Sequence, residues 1–479
     1  MNTVKHLGSA SVLLASLLAG CSLAPTYERP ALPVAGQWPA ALSPTAADDS
    51  NAPPASGLPW QEFFKDARLK QLIGMALEHN RDLRVATLNI ERARALYQVQ
   101  QADRLPTVNA GLGGVRQQVP DLVAPGGHGG LTSAYTAGLG FTAFELDLFG
   151  RVRNLSRAAL ERYAATEEGQ RAAHISLVAQ VASSYEAVLA DEQLLALSRE
   201  TLDNRSASHQ RQVHLRDAGA SSDYDLRQSE SLLEAARIAV LQAQRQRVLD
   251  ENALVVLIGR PVPAELLPVA DQRWDGEAIA ALPAGLPSDL LTARPDIRQQ
   301  EALLRAAHAD IGVARAAFFP RISLTGAFGS SSNALGGLFD AGSRAWSFQP
   351  QIGLPIFDGG RNRANLGAAM AERDIAVAQY EKTIQVAFRE VADALAGHAT
   401  LSEELRAVQA QEHAEQARHD LAKLRYDSGE ASYLEYLDAQ RALFAAQQQT
   451  IRSGLAELQN RIALYKSLGG GWSAPQGQG

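Results

Sequence analysis

The chain is written twice, and the length of the repeat decides what it can build. His79-Asn80-Arg81-Asp82-Leu83-Arg84 resembles Ala293-Arg294-Pro295-Asp296-Ile297-Arg298, and Leu105-Pro106-Thr107-Val108 falls on Phe319-Pro320-Arg321-Ile322 at the same separation of 214. Phe149-Gly150-Arg151-Val152-Arg153 then matches Gly359-Gly360-Arg361-Asn362-Arg363 at a separation of 210, which holds through Arg216-Asp217-Ala218-Gly219 against Tyr426-Asp427-Ser428-Gly429. Solenoid units run to about 20–50 residues, so a period near 210 is a duplicated domain. The repeats are read as 61–270 and 271–470, with a C-terminal tail at 471–479. The four-residue change of separation lies between Pro106 and Gly150, where a longer loop is expected in the first copy.

Each copy has the same order of parts. A helix of about 30 residues (roughly 67–104 and 287–317) is ended by Pro106 or Pro320. A stretch poor in helix signals follows, and then two very long helices, about 151–216 and 222–257, then 361–427 and 432–467. Between Arg151 and Arg216 there is no proline and one glycine, Gly169. At 1.5 Å per residue that is a rod of about 100 Å. Leu437, Phe444, Ile451, Leu458 and Tyr465 recur every seven residues, as do Leu226, Leu233, Val240 and Leu254 with Arg247 interrupting. These are coiled-coil-like seams. Abundant alanine favours helices packed closely together.

The stretches between the helices, about 107–147 and 321–357, alternate instead. Ile322, Leu324, Gly326 and Phe328 interleave with Ser323, Thr325 and Ala327, and Trp346, Phe348, Ile352, Leu354 and Ile356 share one parity against Ser347, Gln349 and Gln351. The first copy repeats this with Tyr135, Ala137, Leu139 and Phe141 against Thr136, Gly138, Gly140 and Thr142. Period-two alternation over about ten residues is the signature of membrane-spanning strands. Four strands cannot close a barrel, and an open edge is not tolerated in lipid. Insertion therefore requires oligomerisation, which twelve strands from three chains satisfy. Gly126-Gly127-His128-Gly129-Gly130 reads as the tip of an exposed loop.

The N-terminus supports a membrane address. Residues 1–20 read as a signal peptide, with an apolar run Val12–Leu18 too short to span a bilayer. It ends in Leu18-Ala19-Gly20-Cys21, which looks like a lipobox, so Cys21 is the expected lipidation site, and Ser22 after it suggests sorting to the outer membrane. The covalent lipid on Cys21 is the only prosthetic group expected; no cofactor or metal is. Residues 21–60 carry Pro25, Pro30, Pro33, Pro39, Pro44, Pro53, Pro54 and Pro59, which exclude a long helix and read as an extended tether.

Arg425-Tyr426-Asp427-Ser428-Gly429-Glu430-Ala431-Ser432-Tyr433-Leu434-Glu435-Tyr436-Leu437-Asp438, with lipobox, tether and repeat, resembles the outer-membrane factors of tripartite efflux pumps, the TolC/OprM kind. The first-copy counterpart is Ala218-Gly219-Ala220-Ser221-Ser222-Asp223-Tyr224-Asp225. The resemblance implies an α+β membrane protein: a homotrimeric duct with a twelve-stranded outer-membrane β-barrel on a long periplasmic barrel of α-helices. It implies a periplasmic adaptor (membrane fusion) protein and an inner-membrane pump, usually proton-driven, as partners. It also implies a closable periplasmic end. Asp438, and Glu435 one turn earlier, would form an acidic ring there. Asp225 would tie neighbouring helices together through Arg425 and Tyr426. Gly219, Ala220 and Ser221, with Gly429, Glu430, Ala431 and Ser432, would be the adaptor-facing tips. Up to six carboxylates around one axis favour cations, and crowding raises their pKa values.

A net charge of −7 argues against nucleic-acid binding. No metalloprotease, hydrolase-elbow, P-loop or zinc spacing occurs, and His413 and His419, six apart, are expected to be exposed rather than to act as a ligand pair. The leading expectation is a passive export duct for small molecules, lipid-anchored in the outer membrane. The alternatives are a coiled-coil lipoprotein or adaptor without a pore, and a type I protein-secretion duct.

Overall fold

The computed structural model describes residues 23–34, 58–123, 126, 128–270, 279 and 294–471. The signal peptide, the lipobox with Cys21, residues 35–57, Gly127 and the tail beyond 471 lie outside them. In chain order the elements are α1 (Trp60–Phe63), α2 (Ala67–His79), α3 (Arg81–Ala102), β1 (Val108–Val119), β2 (Gly130–Glu145), α4 (Arg151–Asp217), α5 (Asp223–Ile258), α6 (Pro295–Ala316), β3 (Arg321–Ser332), β4 (Arg344–Gly353), α7 (Arg361–Asp427) and α8 (Tyr433–Ser467). The residues gather into two compact units. Of the described residues, one holds those within 23–31, 89–166 and 299–380, and the other those within 32–88, 167–298 and 381–471.

In the first unit the four strands form one antiparallel sheet in the order β1-β2-β3-β4. The register aligns Val108 with Phe141, Phe141 with Gly326 and Gly326 with Phe348, and in the next row Ala110, Leu139, Phe328 and Trp346. Because side chains alternate between faces, these rows make one face apolar and aromatic. The other carries Asn109, Gly140, Ala327 and Ser347, then Gly111, Gly138, Gly329 and Ala345. A Cβ added to Gly138 would stand 2.6 Å from the Phe328 carbonyl oxygen, so this face is kept small where β2 meets β3. The outer edges of β1 and β4 have no partner strand among the described residues.

The four extra residues of the first copy lie elsewhere than expected. The β1–β2 connection spans 120–129 and the β3–β4 connection 333–343, so the first loop is not the longer one. The surplus sits in β2 and its exit: 130–150 precede α4, whereas 344–360 precede α7. Part of it is a bulge between Phe141 and Phe144, where Ala143 takes φ +52° and donates its N–H to Thr325 Oγ1 at 3.1 Å. Leu354 and Ile356 continue the alternation but lie beyond the strand, which ends at Gly353 opposite Arg321, the first residue of β3.

Part of the expected tether is docked. Arg29 grips Glu301 of α6 with a fork, Nε to Oε1 and Nη2 to Oε2, both 2.9 Å, and the Tyr27 hydroxyl donates to Glu301 Oε1 at 3.0 Å. Arg315 holds the Leu23 carbonyl at 3.2 Å. Gly312 leaves room for Ala24, whose Cβ would lie 2.8 Å from a side chain there.

In the second unit the expected 67–104 helix is two helices. Asn80 has extended backbone, its Oδ1 accepts from the Leu83 N–H at 2.8 Å, and its Nδ2 donates to the Leu257 carbonyl at 2.8 Å. Its repeat counterpart Arg294 donates to the Ser467 carbonyl at 3.1 Å, so the repeat preserves the bond while changing the residue. The expected 287–317 helix is described from Pro295, whose missing N–H costs nothing at a first helical position. Phe63, Phe64, Leu72 and Ile73 pack with Val181, Tyr185, Leu254, Ile258, Ile462 and Tyr465. Phe63 stacks on Tyr465 at 3.8 Å, and Tyr185 donates to Asp66, the N-cap of α2, at 2.9 Å. Burying each large apolar side chain contributes about 1.5–3 kcal/mol. Arg247, which breaks the α5 seam, pairs with Glu192 of α4 and with Glu251.

Candidate functional site: helix-tip turns and an unclosed sheet

The two tip turns are built alike. α4 ends in Ala218-Gly219, with the Ala220 N–H bonded to the Leu215 carbonyl at 2.7 Å and the Gly219 N–H to Arg216 at 2.9 Å. α7 ends the same way, Glu430 N–H to Arg425 at 2.8 Å and Gly429 N–H to Tyr426 at 3.0 Å. This double bond pattern needs a left-handed residue, and Gly219 and Gly429 supply it at φ +73° and +80°. Ser222 and Ser432 then cap α5 and α8 by accepting from the Asp225 and Glu435 N–H groups at 3.1 and 3.2 Å. Gly219, Ala220, Gly429, Glu430 and Ser432 are exposed, whereas Ser221, Asp225 and Ala431 are half-buried. Ser221 donates to Gln212 Oε1 at 2.8 Å.

Beneath the turns lies an aromatic and amide cluster. Gln212, 1% exposed, donates to the Tyr426 hydroxyl at 3.1 Å. Tyr426 stacks on Tyr436 with centroids 5.6 Å apart, and Tyr433 shares a hydrogen bond with Ser208 at 3.0 Å. Burial pushes the phenols of Tyr433 and Tyr436 above their ordinary value.

The residues expected to form the gate have these places. Asp438 accepts from Arg418 at 3.2 Å, and Glu435 pairs with Arg425. Each of these acids therefore has an arginine of its own chain. Asp225 is held by the Ser222 hydroxyl at 2.6 Å, so a single chain does not bring it to Arg425 or Tyr426. His419 is not the exposed residue expected: its side chain is 18% exposed, its Nδ1 lies 3.1 Å from Asp420 Oδ1, and its ring leans on Tyr436. Sequence reasoning missed Arg418, Gln212, Tyr433 and Tyr436. Arg418 and Gln212 carry no period or motif, and Tyr433 and Tyr436 were visible only as part of the tip segment.

The second half of the site is the sheet. Its apolar face is bare in the single chain: Leu112 is 75% exposed, Trp346 77% and Phe328 66%. Among the described residues no helix is long and apolar enough to cross a membrane, and no group of three His, Cys, Asp or Glu is placed to hold a metal.

An alternating four-stranded sheet with two open edges, carried on paired helices tens of residues long, defines the subunit of an outer-membrane duct. The family described as outer membrane efflux protein matches residues 72–260 and 286–470. The probable efflux pump outer membrane protein TtgC of Pseudomonas putida is 47% identical over 466 residues, covering 97% of this chain and 95% of that protein. The outer membrane protein OprJ of Pseudomonas aeruginosa is 46% identical over 467 residues, 97% and 96% of the two chains. Among solved structures, a membrane protein from Pseudomonas aeruginosa superposes with a TM-score of 0.87 at 46% identity, covering 94% of this chain and 98% of that one. The open state of the MtrE outer membrane channel of Neisseria gonorrhoeae gives 0.83 at 38% identity, again 94% and 98%. The chain belongs to the outer membrane efflux protein family. Its fold is that of the TolC-like trimeric ducts, and it is the outer-membrane channel component of an efflux system.

Proposed function

We propose that three copies of this chain close a twelve-stranded barrel, anchored by acyl chains on Cys21, and pass small toxic compounds outward from a periplasmic adaptor and a proton-driven inner-membrane pump. The observation that carries this reading is the bare aromatic face between two unpaired strand edges, which hydrocarbon tolerates only in a closed cylinder. Relatives are named for antibiotic, toluene and solvent efflux, which supports small hydrophobic cargo. The duct itself does no chemistry and carries no cofactor beyond the lipid. Its energy comes from the pump.

The repeat supports a particular mode of closure. Within one chain α6 is covered by α4: Arg305 meets Glu161 at 2.9 Å, Arg162 meets Asp310 at 2.5 Å, and Ala158, Ala306 and Ala309 form one buried cluster. Their repeat counterparts, α3 and the first turns of α7, are bare, with Leu96, Val99 and Ile375 at least half exposed. β2 pairs with β3 beside the covered contact, and β1 and β4 are the open edges beside the bare one. The α3 face of one copy therefore packs on α7 of the next, as β1 pairs with β4.

At the periplasmic end, Asp225 reaches Arg425 and Tyr426 across copies, and Asp438 and Glu435 face the axis. The tips 219–221 and 429–432 meet the adaptor. Purified lipoprotein run unheated on a denaturing gel and then reconstituted in planar bilayers tests the proposal: a trimer band and discrete conductance steps are expected. A monomer soluble without detergent after removal of the lipid overturns it, and favours the coiled-coil lipoprotein without a pore.

A further inference from the structure

Below the tip cluster, on α4, sits a cation with no ion-pair partner among the described residues. Arg205 is 6% exposed, yet its Nη1 is buried with no acceptor. It lines a cavity of about 130 Å³ with Glu200 and Asn204 of α4, Gln416 and His419 of α7, and Gln440 and Gln447 of α8. The charged groups around it do not neutralise it. His419 is committed to Asp420, Glu200 lines the rim but is exposed to solvent, and the other formal charge that acts on the guanidinium is a cation, Arg441. The phenols of Tyr433 and Tyr436 supply no formal charge. Burial pushes the Arg205 guanidinium below its ordinary value, and Arg441 adds to the effect, but a guanidinium stays protonated in proteins. An isolated buried charge is costly unless it is paired.

We infer that this cavity holds a small monovalent anion, a halide or a short carboxylate, against the Arg205 guanidinium between α4, α7 and α8. The side-chain amides of Asn204 and Gln447 supply further donors. A second buried atom without a partner, Gln440 Oε1, lines the same cavity and is an acceptor. A water donating to both the anion and Gln440 satisfies it, and the volume admits both. The chloride-sized guest completes the packing two turns before Gln212, which holds Tyr426, so the anion sets how firmly the tip cluster is built.

The test uses the full-length protein in detergent, prepared in a halide-free buffer and then given sodium bromide at constant ionic strength. An anomalous bromide peak beside the Arg205 guanidinium is expected, with a thermal midpoint that rises and saturates as bromide is added. Arg205→Met loses both the peak and the saturable rise. Diffraction showing water alone at Arg205 overturns the inference, and so does a bromide response equal in the wild-type chain and Arg205→Met. Should the variant fail to fold, the presence or absence of the wild-type peak still decides.

Discussion

Replacing Glu301 with alanine should release the docked N-terminal segment around Tyr27 and Arg29. The Glu301 side chain is 7% exposed and takes both arms of Arg29 and the hydroxyl of Tyr27, while its other partner, Arg305, keeps Glu161. Charge-assisted hydrogen bonds contribute about 1.5–3 kcal/mol each. Arg29 is half exposed, so solvent screening reduces its share. A loss of about 2–4 kcal/mol in docking remains, which raises the open population about 30-fold to 1,000-fold. Chymotrypsin cleavage after Tyr27, followed by mass spectrometry of the native protein, reads that population. Glu301→Ala should be cut at least about 30 times faster with an unchanged thermal midpoint of the body, and Arg29→Gln less so, since Tyr27 keeps its bond. A cleavage rate within threefold of the wild-type chain refutes the claim that Glu301 is the clamp.

Three further outcomes follow from the same geometry. Glu186, buried beneath the α1–α2 cap and facing Asp66, has its carboxyl raised to about 7 by burial and then by that charge. A raised folded value gives stability that is full below the ordinary 4.5 and lost as pH climbs toward 7, so the thermal midpoint should fall between pH 4.5 and 7 and Glu186→Gln should flatten the slope. Asp438→Ala and Asp225→Ala should each give larger, noisier conductance in planar bilayers, and unchanged traces in both remove them from the gate. Leu139→Arg, on the bare apolar face, should cost about 2–4 kcal/mol per chain at mid-membrane and abolish the heat-resistant trimer, while Thr136→Arg on the opposite face should keep it.

How much of this was legible beforehand depended on range. Strand parity and helix length are local properties, so Phe328, Trp346 and Leu139 could be put on one face and α4 and α7 drawn from end to end. The repeat carried the tip turns, because Gly219 and Gly429 occupy the same left-handed position. What depended on distant partners was not legible. Asn80 breaks a helix by bonding to Leu257, and Tyr27 and Arg29 look like tether until Glu301 is opposite them. Arg247 interrupts a seam only on paper, since Glu192 awaits it on α4. The acids 435 and 438 suggested a ring of like charge, and their arginines, Arg425 and Arg418, lie on another helix. The four extra residues were assigned to a loop because insertions usually fall there, whereas β2 absorbed them through its bulge and longer exit.

The bare faces of α3 and of the start of α7 should meet only between chains. Ala309 and Ala158 touch within a chain, and their repeat counterparts are Ala95 and Ala368, both exposed. A chain carrying Ala95→Cys and Ala368→Cys, oxidised in the membrane and run on a heated non-reducing gel, should give dimers and trimers. Ala158→Cys with Ala309→Cys should cross-link within the monomer. Cross-linking of the first pair inside one chain, or none at all in a protein that still runs as a trimer unheated, contradicts closure through these faces.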